Sequence, residues 1–203
     1  MSGAGVLPRT SGDSEPFDDR PESPYVVLLS NAARSKNIAF AVEALRLLSR
    51  QGRPVRAVHV GRDLTGDLAT ALAGDGATLL RSLGNLDDSA LDALLKDAAA
   101  LVQPSRYEGF GLPIVEAQQR GVPVVASDIP IFREVAGDGS VLVELDNVPD
   151  LAEALHNVTT NESLRAELSV KALGNSSRFS WDQSAEAAVA LIVELCSASR
   201  RSR

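Results

Sequence analysis

The chain alternates short apolar runs with longer segments in which apolar residues recur every three or four positions. Short runs with few polar residues are typical of strands buried on both faces, whereas the longer spacing is typical of helices with one buried face. The runs predict strands over 25–29, 55–60, 78–83, 101–103, 122–126 and 141–143. The spaced segments predict helices over 37–51, 63–73, 89–98, 112–120, 149–158, 162–173 and 181–196, and a helical turn over 131–135.

Strands that alternate with helices of this length predict an α/β fold with a doubly wound, Rossmann-like parallel sheet of about six strands. We expect residues 24–196 to form this one domain. Residues 1–23 are rich in Gly, Ser, Pro, Asp and Glu and are expected to be a disordered linker. Residues 197–203 contain three arginines and are expected to be a frayed tail. Asp88 or Ser89 is the expected cap of the helix over 89–98.

Composition and charge exclude several classes of function. The net charge of −7 argues against a general polyanion binder, and an aromatic content of 4% argues against a stacking platform for nucleic acid. The one cysteine, Cys196, excludes an intrachain disulfide and is expected to be buried or half-buried in its helix. No apolar run reaches the ~20 residues of a membrane span, and no secretory signal is readable. A cytoplasmic location is therefore expected, and peripheral membrane contact through an acceptor or partner stays open.

The most informative stretch, residues 103–126, predicts a strand, a glycine loop, a helix and a second strand. Gly109 and Gly111 flank Phe110 in the loop, and the helix that follows would present free N–H groups and a positive dipole end to an anion. Glu108 and Glu116 bracket the loop, and carboxylates are good acceptors for sugar hydroxyls. Amides for phosphate and carboxylates for hydroxyls indicate a nucleotide-sugar site. The spacing alone is equally compatible with a simple turn between two solvated carboxylates.

From Pro104 to Glu144 the sequence reads PSRYEGFGLPIVEAQQRGVPVVASDIPIFREVAGDGSVLVE. This run resembles the signature of the carboxyl-terminal, donor-binding domain of retaining glycosyltransferases of family 4, the "group 1" enzymes of the GT-B fold. The resemblance extends to residues 35–37, 83–84 and 179–181 and covers about residues 25–195. It implies one half of a GT-B fold.

The resemblance also implies roles for individual residues. Glu108 would be the catalytic residue that holds the donor sugar near the reacting carbon, and Glu116 would accept hydrogen bonds from the ribose. Lys36 would contact the donor diphosphate. The remaining substrate-binding positions are the loop amides and the base pocket, namely Gly109, Phe110, Gly111, Leu112, Asn85 and Leu86. No metal-ligand constellation stands out, so we expect donor binding without a metal or another cofactor.

Two features depart from the family pattern. Members usually have Gly-Arg directly after the first strand, where this chain has Ser30 and Asn31. Asn31 is still assigned to the substrate site, but the loss of a charged contact would cost about 1.5–3 kcal/mol. The second departure is that residues 1–203 contain no segment that resembles the family's amino-terminal, acceptor-binding domain, so we expect one half of the enzyme here. The helix over 181–196, which crosses to that domain in the family, is expected to need a separate amino-terminal subunit or a second copy of this chain, and no acceptor pocket is predicted.

The leading prediction is thus a glycosyltransferase donor domain that binds a nucleotide-diphosphate hexose, of the GDP-mannose or UDP-glucose type, for hexosyl transfer with retention. The alternative is a non-catalytic domain, a truncated or split remnant that binds a nucleotide sugar or only a partner protein. A nicotinamide-binding domain is excluded because no G-x-G-x-x-G fingerprint follows the first strand.

Overall fold

One parallel sheet organises the chain. The computed structural model describes residues 24–30, 33–61 and 80–201. Its strands follow the order β3-β2-β1-β4-β5-β6, and every neighbouring pair in this sheet is parallel. The strands are β1 (Tyr25–Leu29), β2 (Arg56–Val60), β3 (Leu80–Ser82), β4 (Ala100–Gln103), β5 (Val124–Ser127) and β6 (Ser140–Val143). The direction of winding reverses between β1 and β4, which confirms the predicted doubly wound, Rossmann-like fold.

The helices lie on both faces of the sheet. Their bounds are α1 (Ile38–Arg50), α2 (Asp88–Lys96), α3 (Leu112–Gln119), α4 (Pro130–Val135), α5 (Val148–Thr160), α6 (Glu162–Ser176) and α7 (Trp181–Arg201). Two short 3₁₀ turns, Arg34–Lys36 and Gly137–Gly139, complete the described elements. The predicted helix over 63–73 and the predicted linker over 1–23 lie outside the described residues.

Side chains alternate along each strand between two apolar clusters. Val26 and Leu28 point toward α1 and α5, whereas Tyr25 and Val27 point toward the cluster that contains α2, α3 and α4. All four of these side chains are buried. Burial on both faces explains the nearly continuous apolar runs, because each buried aliphatic side chain contributes about 1.5–3 kcal/mol.

The amino-terminal cap of α2 differs from the sequence expectation. Asp87, not Asp88 or Ser89, accepts a hydrogen bond on its side chain from the Ala90 backbone N–H, at 2.9 Å. Asp87 has an extended backbone, and its carboxylate therefore reaches the unpaired amide three residues ahead. The predicted cap was wrong by one or two positions.

The last helix is more exposed than its sequence suggests. α7 ends at Arg201, later than the predicted Cys196, because no glycine or proline interrupts it. Cys196 is exposed, so the expectation of a buried thiol was wrong. The apolar side chains of Val189, Leu191, Ile192 and Val193 are also exposed, and they leave α7 with an uncovered apolar surface. Within the part of the chain that the structure describes, no helix has the length and apolar content needed to cross a bilayer.

Candidate functional site

Lys36 is placed by a tight turn at the end of β1. The 3₁₀ turn Arg34–Lys36 closes with a hydrogen bond from the Lys36 N–H to the Ala33 carbonyl, at 2.9 Å. Asn37 then adopts a left-handed backbone, with φ of 51°, and leads directly into α1. Asparagine tolerates this conformation better than most residues do. Because β1 and β4 are neighbours, the turn brings the Lys36 ammonium to the loop that follows β4.

The carboxylate of Glu108 is the centre of the site. Its Oε1 accepts hydrogen bonds from Lys36 Nζ at 2.6 Å, Ser105 Oγ at 2.8 Å and Gln103 Nε2 at 3.0 Å. The Lys36 and Glu108 side chains are 19% and 13% exposed. Within the described residues, no group donates to the second oxygen, Oε2. Three donors from the described residues thus anchor one oxygen of Glu108.

The environment of Glu108 favours its charged form. Burial pushes the pKa of this carboxyl up, but hydrogen bonds from Lys36, Ser105 and Gln103 and the charge of Lys36 push it down more. The net effect is a pKa below the ordinary value of 4.5. Glu108 is therefore a carboxylate at neutral pH, suited to accepting hydrogen bonds and to carrying negative charge beside a cationic partner.

A second set of contacts fixes the same two loops from the outside. The Arg106 backbone N–H donates to the Ser35 carbonyl at 2.8 Å. The Arg106 guanidinium makes a two-pronged ion pair with Asp146, at 2.5 and 2.8 Å, and Asn37 Nδ2 donates to Asp146 Oδ1 at 3.2 Å. These links join the loops after β1, β4 and β6, so the position of Lys36 relative to Glu108 does not depend on one ion pair alone.

The two loop positions 109 and 111 differ in whether the backbone requires glycine. Gly111 has a φ of +98°, and a Cβ there would lie 2.8 Å from the Phe132 ring. The fold therefore requires glycine at 111. Gly109 has no such backbone, and a Cβ there would meet nothing within 4 Å. The fold does not require glycine at 109, an exposed position next to Glu108 in the chain, where the space around a Cβ would be open.

The remaining predicted site residues lie at varying distances from the ion pair. Phe110 and Leu112 are both partly exposed at the loop, before and at the start of α3. Glu116 is exposed on α3, and its carboxylate has no partner among the described residues. The structure brings Lys36 and Glu108 into direct contact, with Gly109 adjacent to them along the chain. It places Glu116 one turn into the helix that the loop opens.

The two base-pocket candidates are further away. Asn85 is exposed after β3, and Leu86 is partly buried against the apolar cluster beside α2. β3 is separated from β1 by β2, which corresponds to roughly 10 Å at the usual strand spacing. No contact joins Asn85 or Leu86 to Lys36 or Glu108 among the described residues. Asn31 lies outside the described residues.

Sequence reasoning missed two residues that hold Glu108. Gln103 and Ser105 are almost completely buried, and both donate to Glu108 Oε1. The available signal was a polar amide at the end of an apolar strand, where an aliphatic side chain is expected. Gln103 Oε1 is buried and accepts no hydrogen bond from the described residues. Buried polar atoms are usually paired, so this atom is a natural acceptor for an internal water.

Metal binding has no evident framework in the described part of the chain, where no three His, Cys, Asp or Glu side chains gather as a cluster. Binding of the donor without a metal stays a prediction.

Comparison with known proteins assigns the family. Residues 13–173 match the sequence family described as "Glycosyl transferases group 1". The chain is 30% identical over 162 residues to the O-antigen chain mannosyltransferase B of Escherichia coli, covering 78% of this chain and 42% of that protein. It is 34% identical over 149 residues to the phosphatidyl-myo-inositol mannosyltransferase of Mycolicibacterium smegmatis, covering 72% and 38%.

A solved structure shares the fold. The crystal structure of TarM superimposes with a TM-score of 0.72 at 25% identity, covering 84% of this chain and 36% of TarM. The chain thus spans about two fifths of the length of the relatives that it matches. Both the parallel sheet and the match over most of the chain lead to one assignment: the chain belongs to the group 1 glycosyltransferases and has the Rossmann-like architecture of one GT-B half.

Proposed function

We propose that this chain binds a nucleoside-diphosphate hexose and serves as the donor half of a hexosyltransferase that retains anomeric configuration. The observation that carries the proposal is the Lys36–Glu108 pair at the carboxyl ends of β1 and β4. In open parallel sheets this edge, at the point where the strand order reverses, is where ligands bind. Mannosyltransferases among the relatives support a GDP-mannose donor, and UDP-glucose is the other candidate.

Each group at the site has a role in this proposal. The Lys36 ammonium neutralises the diphosphate, and Glu108 Oε2 accepts a hydrogen bond from a hydroxyl of the donor sugar. The open space at Gly109 receives the sugar ring, and the amino-terminal end of α3 faces the phosphates. Glu116, one turn into α3, accepts hydrogen bonds from the ribose. A base pocket at Asn85, Leu86 and Asn31 stays a prediction.

The transfer step needs no protein nucleophile. The acceptor oxygen forms its bond to the anomeric carbon on the face from which the diphosphate departs. The acceptor proton passes to the departing phosphate oxygen, and the Lys36 charge stabilises the negative charge that develops there. Glu108 holds the sugar so that the anomeric carbon remains beside the phosphate.

Most acceptor contacts are assigned to an amino-terminal domain of the kind that the family resemblance implies. The relatives are more than twice as long as the region they share with this chain. The exposed apolar side chains of α7 offer a surface on which an amino-terminal domain, carried by a separate subunit, could pack; a second copy of this chain is the other candidate. A cytoplasmic location stays a prediction.

One observation favours a non-catalytic alternative, a domain that binds a nucleotide sugar without transferring it. Glu108 already pairs with Lys36, so the two side chains together carry no net charge toward a diphosphate. The resemblance to the family predicts an arginine at position 31, where this chain has asparagine. If no other cation replaces an arginine at position 31, the site attracts the diphosphate more weakly.

Calorimetric titration tests the nucleotide site. We expect the 203-residue chain to bind at least one of UDP, GDP, UDP-glucose and GDP-mannose. Glu116→Ala should weaken that binding by roughly tenfold or more, because a hydrogen bond to a charged group is worth about 1.5–3 kcal/mol. Glu134→Ala, which removes an exposed carboxylate from α4, is the matched control and should bind like the wild type. Absence of binding by the wild type, or equal affinity for all three proteins, would contradict the proposal.

Substitutions of the two loop glycines separate an effect on ligand binding from an effect on stability. Gly109→Ala should leave the free energy of unfolding unchanged within about 0.5 kcal/mol, yet reduce nucleotide-sugar affinity roughly tenfold by filling the space of the sugar ring. Gly111→Ala should instead lower the free energy of unfolding by about 1–3 kcal/mol, because alanine is strained at positive φ. Urea denaturation and calorimetry measure the two effects. If the Gly109→Ala variant binds the nucleotide sugar with wild-type affinity, the donor sugar does not occupy the space beside residue 109.

The pH dependence of stability tests the charge state of Glu108. Because folding lowers its pKa, the stability that this carboxylate contributes is present above 4.5 and is lost as the pH falls through the folded pKa. The free energy of unfolding of the wild type should exceed that of Glu108→Gln by about 1–3 kcal/mol at neutral pH, and the difference should shrink in acid. Glu134→Gln is the control for general acid effects. A difference that is absent, or constant down to about pH 3, would show that the pair is not formed in solution.

A further inference from the structure

A pocket of about 370 Å³ opens beside the glycine loop, between α3 and the start of α7. Its volume is in the range of roughly 300–1,000 Å³ that small-molecule pockets occupy. Phe110 and Phe179 form one wall, with ring centroids 5.7 Å apart and ring planes nearly perpendicular. Trp181, at the mouth, is 78% exposed. This pocket is separate from the Lys36–Glu108 pair, neither of whose residues lines it.

The pocket nevertheless begins next to the proposed donor site. Phe110 follows Glu108 by two residues, so the two Cα atoms are at most about 7.6 Å apart. On α3, Leu112 and Gln119 face the pocket, and Glu116 occupies the neighbouring strip of the same helix. A ligand in the pocket would therefore lie within about one sugar ring of the loop that the proposed function assigns to the donor sugar.

The chemistry of the lining selects the class of ligand. Aromatic rings offer apolar faces with negative charge density, which suit the C–H face of a sugar ring. Gln119 and Gln183 also line the pocket and offer uncharged amides that donate and accept hydrogen bonds, whereas the Ser184 hydroxyl already donates to the Ser180 carbonyl at 2.9 Å. An acyl chain could not use these hydrogen-bonding groups, whereas the hydroxyls of a sugar ring could.

The charged residue of the lining is already engaged. Arg178 Nη1 donates to Asn175 Oδ1 at 2.8 Å, and its guanidinium carbon lies 5.3 Å from the centre of the Phe179 ring. Among the described residues, no carboxylate and no lysine line the pocket. Asn175 and Phe179 are neutral partners, so Arg178 keeps its charge and can also donate to an uncharged hydroxyl, whereas a cationic ligand would find no counter-ion among the described lining residues. The lining therefore suits a polyhydroxyl ligand that carries no positive charge.

We propose that this pocket binds a neutral sugar residue, namely the saccharide end of the acceptor. The proposal rests on the proposed donor function, and it assigns part of the acceptor binding to this chain rather than only to a partner domain. Trp181 is the stacking residue, and Gln119 and Gln183 read the hydroxyl groups.

Saturation-transfer NMR with methyl α-mannoside and a mannobiose tests the pocket, using the full chain. Trp181→Ala should raise the dissociation constant of the saccharide about three- to tenfold, and Trp181→Phe should restore most of the affinity by keeping an aromatic face. Leu191→Ala, on the same helix but outside the pocket, should bind the saccharide like the wild type. Calorimetry on the same samples should show that each of the three variants binds GDP with the wild-type affinity, and likewise UDP.

The outcomes separate the two proposals. If the wild type binds nucleotide but neither saccharide, the pocket proposal is wrong and the donor site stands. The pocket proposal would also be overturned if Trp181→Ala binds the saccharide as well as the wild type does. It would likewise be overturned if n-octanol displaces the saccharide signal from Trp181 at a lower concentration than free mannose does. If no nucleotide binds, the donor proposal fails, and a saccharide site lost in Trp181→Ala would show a sugar-binding pocket without the acceptor role.

Discussion

The ion pair between Lys36 and Glu108 is the interaction on which the rest of the site depends. The two residues are 72 positions apart in the chain, and they meet because β1 and β4 are neighbours in a parallel sheet. The loops after both strands leave from the same edge, where the winding direction reverses. The ion pair is supported by Gln103 and Ser105 below it and by the Arg106–Asp146 pair beside it.

This arrangement leaves specific atoms for a ligand. Three donors converge on Oε1 of Glu108, and in the proposed function Oε2, the space at Gly109 and the carboxylate of Glu116 would contact the donor. Gly109 lies in the loop between β4 and α3, and Glu116 lies one turn into the helix that this loop opens. The same loop also carries Phe110 into the wall of the neighbouring pocket, so that one short segment of backbone would contact both reactants of a transfer.

The sequence allowed the sheet and most of the helices to be predicted, and it selected Lys36 and Glu108 as candidate site residues, for identifiable reasons. Strands buried on both faces have a simple apolar signature, and the segment from Pro104 to Glu144 resembles a known family closely. The resemblance assigned Lys36 and Glu108 to one ligand, and the structure places them in contact. The base-pocket role of Asn85 and Leu86 is still untested.

Other features depend on geometry that periodicity does not encode. Gln103 and Ser105 donate to the same oxygen because of the path that the loop takes. The Arg106–Asp146 ion pair joins segments that are 40 residues apart in the chain. Capping by Asp87 instead of its two neighbours depends on one backbone conformation. Cys196 is exposed although it lies in an apolar helical pattern. Such a pattern predicts that one face of the helix is covered, but it does not show that the covering surface belongs to this chain.

A double-mutant cycle on Lys36 and Glu108 tests the central claim most directly, with nucleotide-sugar affinity as the readout. Lys36→Met and Glu108→Gln should each weaken binding of the preferred nucleotide sugar, by roughly tenfold for Lys36→Met. Because the two side chains contact each other and the same ligand, their effects should be non-additive by at least about 0.5 kcal/mol. Wild-type affinity in both single variants and in the double variant would contradict the account.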